Sequence, residues 1–250
     1  MNTVSVLLCQ AFVLMALAAG ASWLMHQPAF NLSAIQVGGD LKHNNAVTLR
    51  ANVTPKLEGN FLTVDLETIR AAFEAVPWVR QAVVQREFPN RLKVLLREHK
   101  AVAYWGTEGD ARLVNNHGEV FEANPGDVEA EELPLLSGPK GQAPQVLQAY
   151  QGLLPLFEEM DTVLEQLQLS ELGSWRAQLD TGAVIELGHG SLAEVQQRTR
   201  RFIDTVAQVS SRFGRDVESA DLRYGSGYAL KLRGVTTSEM GDKDEQKKKR

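Results

Sequence analysis

The chain has 250 residues, 26 Lys and Arg against 31 Asp and Glu, 44% hydrophobic side chains and one cysteine, Cys9. A single cysteine excludes a disulfide framework and any Cys-based metal site. The charge divides unevenly, ten basic and seven acidic residues over 27–100 against eleven and twenty over 101–233, which argues against nucleic acid as a partner for the bulk of the protein.

Residues 4–25 carry no charged side chain. As a helix rising about 1.5 Å per residue they reach roughly 33 Å, enough for a hydrocarbon core of about 30 Å. Two readings stand for this segment. A cleaved secretory signal would end near Ala18, Ala19 or Ala21, yet a signal wants a basic start and an apolar run of about 7–15 residues. Met1-Asn2-Thr3 supplies no cation, and the run continues through Trp23, Leu24 and Met25. A retained anchor fits the length better, with Trp23 at the membrane–water boundary and Pro28 ending the helix. No Lys or Arg precedes Lys42, so orientation rests on export of the long C-terminal part.

The next seventy residues predict a small α+β unit. Phe30 to Val37 alternates apolar and polar as a half-buried strand and meets a turn at Gly38-Gly39. A short helix follows, with Asn44 or Asn45 as cap and Ala46 to Val53 as body. Asp65 caps a clearer one, in which Leu66, Ile69, Phe73 and Val76 share a face and Pro77 is the stop. Val79 to Phe88 and Leu92 to Glu98 form a hairpin about Pro89-Asn90-Arg91, the second strand setting Leu92, Val94 and Leu96 against Lys93, Leu95 and Arg97. Both helices are expected on one face of the sheet, with Trp78 as a core ring between helix and sheet.

The remainder reads as β-rich. Ala101 to Trp105, Arg112 to Val114 and Val120-Phe121 are short strands, and Glu122 to Pro144 is an acidic loop. Gln145 to Met160 has helical periodicity that Pro155 should kink or shorten. Val163 to Leu169, Trp175 to Leu179 and Val184 to Leu187 predict an antiparallel meander. Leu192 to Phe213 is one long helix between a Ser191 cap and a Gly214 stop, and its basic run of Arg198, Arg200 and Arg201 reads first as a solvated face. Val217 to Arg233 predicts a terminal hairpin with Tyr228, Leu230 and Leu232 facing inward, its last strand at a sheet edge. Val235 to Arg250, ending in three lysines and an arginine, is expected to be a disordered tail.

Specific residues add a resemblance. Ile35 to Gly39, Val76-Pro-Trp-Val79, Arg86 to Leu92, Val94 to Glu98 and Ala101 to Trp105 resemble a POTRA domain. With Leu133 to Pro139, the Trp175 strand and Asp221-Leu-Arg-Tyr-Gly-Ser-Gly227, nearly the whole chain resembles the FtsQ/DivIB family of bacterial cell-division proteins. The resemblance implies an α+β chain in five parts: a short cytoplasmic end (1–3), a transmembrane helix (4–25), a POTRA domain (30–99), a partner-binding β domain (100–233) and a tail (234–250). Where the family carries a basic cytoplasmic segment before its anchor, residues 1–3 hold no cation. It further implies a non-catalytic scaffold of the division septum in the bacterial inner membrane, with both domains in the periplasm and no cofactor. The implied partners are FtsB and FtsL, together with other membrane proteins of the division machinery. FtsB is expected to add a strand to the last strand of the second domain, with Arg223, Tyr224, Ser226, Gly227, Tyr228 and Leu230 as contact residues.

Two other classes compete. An enzyme finds little support, because the five histidines, His26, His43, His99, His117 and His189, are scattered and Gly225-Ser226-Gly227 lacks the strand-to-helix context of a nucleophile elbow. A POTRA protein of outer-membrane protein assembly or transport would be followed by a membrane barrel, and the strands for one are missing.

Overall fold

The computed structural model describes residues 3–25, 27, 30–56, 59–107, 109–110, 112–128, 133–225 and 227–234. The chain divides into two compact units, Met1–Lys100 and Ala101–Arg250. Ser226, Pro28, residues 129–132 and the tail from 235 onward lie outside the described residues.

Helix α1 spans Thr3–Met25 without an acidic or basic side chain. Its described side chains, Val6 to Gly20 with Ser22 and Trp23, are all exposed, Leu8, Phe12, Leu14, Met15 and Trp23 each at least 65% accessible. Among the described residues no helix is long and apolar enough to cross a membrane.

The rest of the first unit is a three-stranded sheet, β1 (Ala34–Gly39), β2 (Val79–Glu87) and β3 (Arg91–Glu98), in the order β1-β3-β2, with α2 (Ala46–Val53) and α3 (Leu66–Glu74) packed on one face. β1 lies parallel to β3, pairing Ala34 with Arg91 and Gly39 with Leu96. The expected turn at Gly38-Gly39 is instead the end of this strand. A Cβ at Gly39, where φ is 102°, would sit 2.2 Å from the Leu96 carbonyl oxygen, so only glycine allows the pairing to continue that far. Local signals account for the helix starts: the Asn45 side chain accepts from Val47 N at 2.9 Å, and that of Asp65 from Glu67 N at 3.0 Å. Alternation along β3 buries Leu92, Val94 and Leu96 against Leu49, Val53, Ile69 and Phe73.

Trp78 departs from a plain core role. It is 3% exposed but sits at φ 70°, an unusual backbone region for a bulky residue. Its ring stacks on His43 at 3.9 Å, and its carbonyl accepts from His99 N. The loop that carries His43 is gathered by one carboxylate. Glu98, 5% exposed, accepts from the backbone amides of Lys42, His43 and Asn44, the Asn44 side chain and the His43 ring, at 2.9–3.3 Å.

The second unit is a nine-stranded sheet of β4 (Ala101–Trp105), β5 (Arg112–Asn115), β6 (Val120–Glu122), β7 (Leu135–Ser137), β8 (Leu164–Leu169), β9 (Ser174–Leu179), β10 (Val184–His189), β11 (Val217–Asp221) and β12 (Ala229–Leu232), ordered β12-β11-β10-β9-β8-β7-β4-β5-β6. Strand β7 corrects the sequence reading, which took Glu122 to Pro144 as loop throughout. It bridges β4 and β8 and is parallel to both. Parallel neighbours require a crossover rather than a tight turn; β5 and β6 lie in the one from β4 to β7, and the two long helices provide the others. α4 (Ala143–Glu158) carries the chain from β7 to β8, and α5 (Leu192–Phe213) from β10 to β11. Both bury their apolar stripes in the same cluster, through Val146, Leu153 and Phe157 of α4 and Val195, Phe202 and Val206 of α5, beneath Leu136, Leu167, Ala177 and Ile185. Pro155 neither breaks nor ends α4, which runs on to Glu158. The carbonyl deprived of its partner is that of Gln151, and both residues are exposed to water.

A candidate partner-docking edge in the second unit

The end of the nine-stranded sheet is built by α5 and the β11–β12 hairpin. α5 starts where local chemistry dictates: the Ser191 hydroxyl accepts from Glu194 N, and the Glu194 carboxylate accepts from Ser191 N at 2.7 Å. This reciprocal capping box satisfies amides that the helix itself leaves open and holds the Glu194 carboxyl below its ordinary pKa. Gly214 closes the helix at φ 60°, as a left-handed C-terminal glycine does.

β11 pairs parallel to β10 and antiparallel to β12, with Ala220 opposite Leu230 and Asp221 opposite Ala229. Among the described residues β12 therefore has a neighbour on one side only. Its other side is a row of backbone donors and acceptors available to a further strand. Tyr228, Leu230 and Leu232 are half-buried while Ala229, Lys231 and Arg233 are exposed.

The hairpin does not use its side chains uniformly. Arg223 is turned back onto Asp221, with Nε to Oδ1 at 2.8 Å and Nη2 to Oδ2 at 2.6 Å. These hydrogen bonds hold the Asp221 carboxyl below its ordinary range and raise the guanidinium in turn. The Arg223 fork, expected among the partner contacts, is thus already engaged within the hairpin. Tyr228 also turns inward. Its ring packs edge-on to Phe202 at 5.1 Å between centroids, and its hydroxyl pairs with Thr205 Oγ1 at 2.8 Å. Leu230 packs on the core. Tyr224, 57% exposed, and Gly227 face water. A Cβ built on Gly227 meets nothing within 4 Å, so the free chain has no steric need for glycine there.

A groove of about 300 Å³ lies between α5 and the hairpin, lined by Arg198, Arg201, Asp204, Thr205, Leu222, Gly227 and Tyr228. Arg198 donates to the His189 carbonyl while its buried Nε has no hydrogen-bond partner, and Arg201 Nη1 donates to the Gly225 carbonyl at 3.3 Å. Two guanidinium groups beside an apolar floor suit a carboxylate-bearing segment. Sequence reading left these arginines on a solvated face. Their spacing with Asp204 and Thr205 placed them on one side of α5, but only the folded hairpin makes that side a groove. A larger cavity of about 600 Å³, lined by Tyr104, Asp110, Leu133, Tyr150 and Asp180 among others, shares no residue with this groove. Among the described residues no cluster of His, Cys, Asp or Glu is placed to hold a metal ion.

A three-stranded α+β unit followed by an open mixed sheet with a free last strand defines a class of two-domain proteins built on a POTRA module. Comparison with known families agrees. Residues 30–99 match the model of the POTRA domain, FtsQ-type, and residues 103–223 that of the cell division protein FtsQ/DivIB, C-terminal. The chain is 39% identical over 247 residues to the cell division protein FtsQ of Burkholderia pseudomallei (strain K96243), covering 97% of each. It is 41% identical over 220 residues to that of Thiomonas arsenitoxydans, covering 87% of this chain and 81% of the relative. With that of Bordetella pertussis it shares 35% over 249 residues, covering 92% and 89%. The chain belongs to the FtsQ/DivIB family of cell division proteins.

Proposed function

We propose that this chain is a non-catalytic, single-pass scaffold of the bacterial division machinery. Residues 4–25 anchor it in the inner membrane, and the units 30–99 and 100–233 stand in the periplasm at the septum. The proposal for the anchor is supported by its length without a charge and by the exposed apolar side chains described along α1 from Val6 to Trp23, which only a lipid or protein surface would cover. The second unit takes up a periplasmic segment of FtsB, and with it FtsL, by strand addition.

The observation that carries this reading is the position of β12 at the end of the sheet, with one side unpaired among the described residues. A partner strand laid along β12 gains backbone hydrogen bonds, and side chains beside it set selectivity. Tyr224 offers an exposed ring for contact, Gly227 leaves room for a second backbone, and Arg198 and Arg201 supply charge for acidic residues flanking the added strand. Ser226 belongs to the same proposed surface on sequence grounds. Arg223, Tyr228 and Leu230 act mainly by shaping the hairpin. Tethering both partners to one membrane raises their effective concentration, so a modest intrinsic affinity suffices.

The test is Gly227→Trp in the full chain. An added Cβ meets nothing within 4 Å in the free protein, so its circular dichroism and melting temperature are expected to stay as in the parent. Binding of the FtsB–FtsL periplasmic segments, followed by calorimetry in detergent, is expected to weaken by at least about tenfold, or about 1.4 kcal/mol. Undiminished affinity would remove β12 as the docking strand.

A further inference from the structure

The first unit carries a surface for which neither the strand-addition site nor the family match supplies a role. Its incoming segment is tied to one end of the unit. The Phe30 carbonyl accepts from Phe61 N at 2.8 Å, and Ser33 donates through N to the Asn90 carbonyl at 2.9 Å and through its hydroxyl to Asn90 Oδ1 at 2.8 Å. Asn90 is at the tip of the β2–β3 hairpin. Arg86 joins the same end, donating through Nε to the Phe61 carbonyl at 2.8 Å and through Nη2 to the Val64 carbonyl at 2.7 Å. Incoming segment, 60–64 turn and hairpin tip are therefore one structural end. Only four residues lie between Met25, the last of α1, and Phe30, five steps of chain that reach at most about 17 Å.

Apolar side chains at this end face water. Phe88 is 80% exposed and Leu62 44%, while Phe61, edge-on to Phe88 at 6.2 Å between centroids, is 5% exposed. The hairpin 79–98 carries five basic residues against two acidic, and one of those, Glu98, is committed to the 42–44 loop. Arg91 and Lys93 are exposed on successive outward positions of β3, starting at the tip. Exposed aromatic and aliphatic groups flanked by cations are the composition of an interfacial membrane contact.

We propose that this tip is a membrane-surface anchor. Phe88 and Leu62 enter the headgroup region of the bilayer, and Arg91 and Lys93 meet the phosphates of anionic phospholipids. The inference rests on the reading of residues 4–25 as a span, because the short connection then holds the tip at the membrane surface. Its consequence is a first unit with a set orientation to the bilayer, instead of one that swings on its connection.

The experiment uses the full chain with Cys9→Ser and a single labelled cysteine, Leu62→Cys at the tip or Gln81→Cys on β2, about 23 Å from Phe88 at a strand's rise per residue. The protein is reconstituted in vesicles of phosphatidylcholine with phosphatidylglycerol, and an environment-sensitive fluorophore is quenched by headgroup-proximal spin-labelled lipid. Quenching at position 62 is expected to exceed that at 81 by at least about threefold. It should fall toward the level at 81 when Phe88→Ser and Arg91→Glu are added. Equal quenching at both positions, or no response to those substitutions, in protein that resists alkaline carbonate extraction overturns the surface anchor and leaves the span standing. Release of the protein by carbonate overturns the span, and the anchor with it.

Discussion

Replacing Glu98 by alanine removes one carboxylate on which the loop before α2 is built. Five donors converge on it, three of them the consecutive amides of Lys42, His43 and Asn44. Hydrogen bonds to a charged acceptor are worth about 1.5–3 kcal/mol each when their loss leaves a buried group unpaired. The Lys42 and His43 amides lie at the exposed edge and find water, whereas both Asn44 donors are partly buried. Counting the Asn44 pair nearly in full and the others as small gives a cost of about 3 kcal/mol. In a domain of this size each kcal/mol moves the midpoint by about 4–8 °C, so a fall of about 12–24 °C is expected. Scanning calorimetry of the full chain in detergent should show this in the first unit's transition alone, since the two units have separate cores. Hydrogen exchange should speed up at amides 42–44 and along α2, and Trp78 fluorescence should change as the His43 ring leaves its stack. Glu98→Gln keeps one acceptor oxygen and should cost roughly a third as much. A midpoint for Glu98→Ala within about 2 °C of the parent would refute the idea that this carboxylate organises the loop.

Two further outcomes concern the second unit. Leu136, fully buried at the centre of β7, is expected to cost about 3 kcal/mol on Leu136→Ala, lowering the second transition in calorimetry and leaving the first in place; a loss below about 1 kcal/mol would mean that β7 is not a core strand. The Asp221 carboxyl has its pKa lowered by the Arg223 hydrogen bonds. Its stabilisation is therefore present above the unfolded value of about 3.9 and is lost as pH falls through the lower folded value. Between about pH 5 and 2 the second transition should decline, and less steeply in Asp221→Asn than in the parent; identical slopes in chemical denaturation would show that the pair contributes nothing.

How much of this was legible beforehand depends on how far apart the deciding groups lie in the chain. Helix α5 could be read to the residue, because Ser191, Glu194 and Gly214 act within one turn of its ends. The β2–β3 hairpin was legible for the same reason, its alternation and turn residues being contiguous. β7 was not. Three residues, Leu135–Ser137, carry no periodicity, and what makes them a strand is the pairing offered by β4 and β8 on either side. The proposed docking edge divides in the same way. The alternation of Tyr228, Leu230 and Leu232 was plain in the sequence, while the engagement of Tyr228 by Thr205, on α5, required both elements in place.

The sequence by itself determined the uncharged first segment, the two-unit division of charge, the strong helices and the family, since each is a matter of composition, local spacing or residue identity. Tertiary structure alone decided that β12 ends the sheet, that Arg198 and Arg201 line a groove, and that Phe88 stands at the end of its unit tied to the incoming chain. Those properties belong to pairings between residues tens of positions apart, and a strand becomes an edge only when every other strand has found its neighbour.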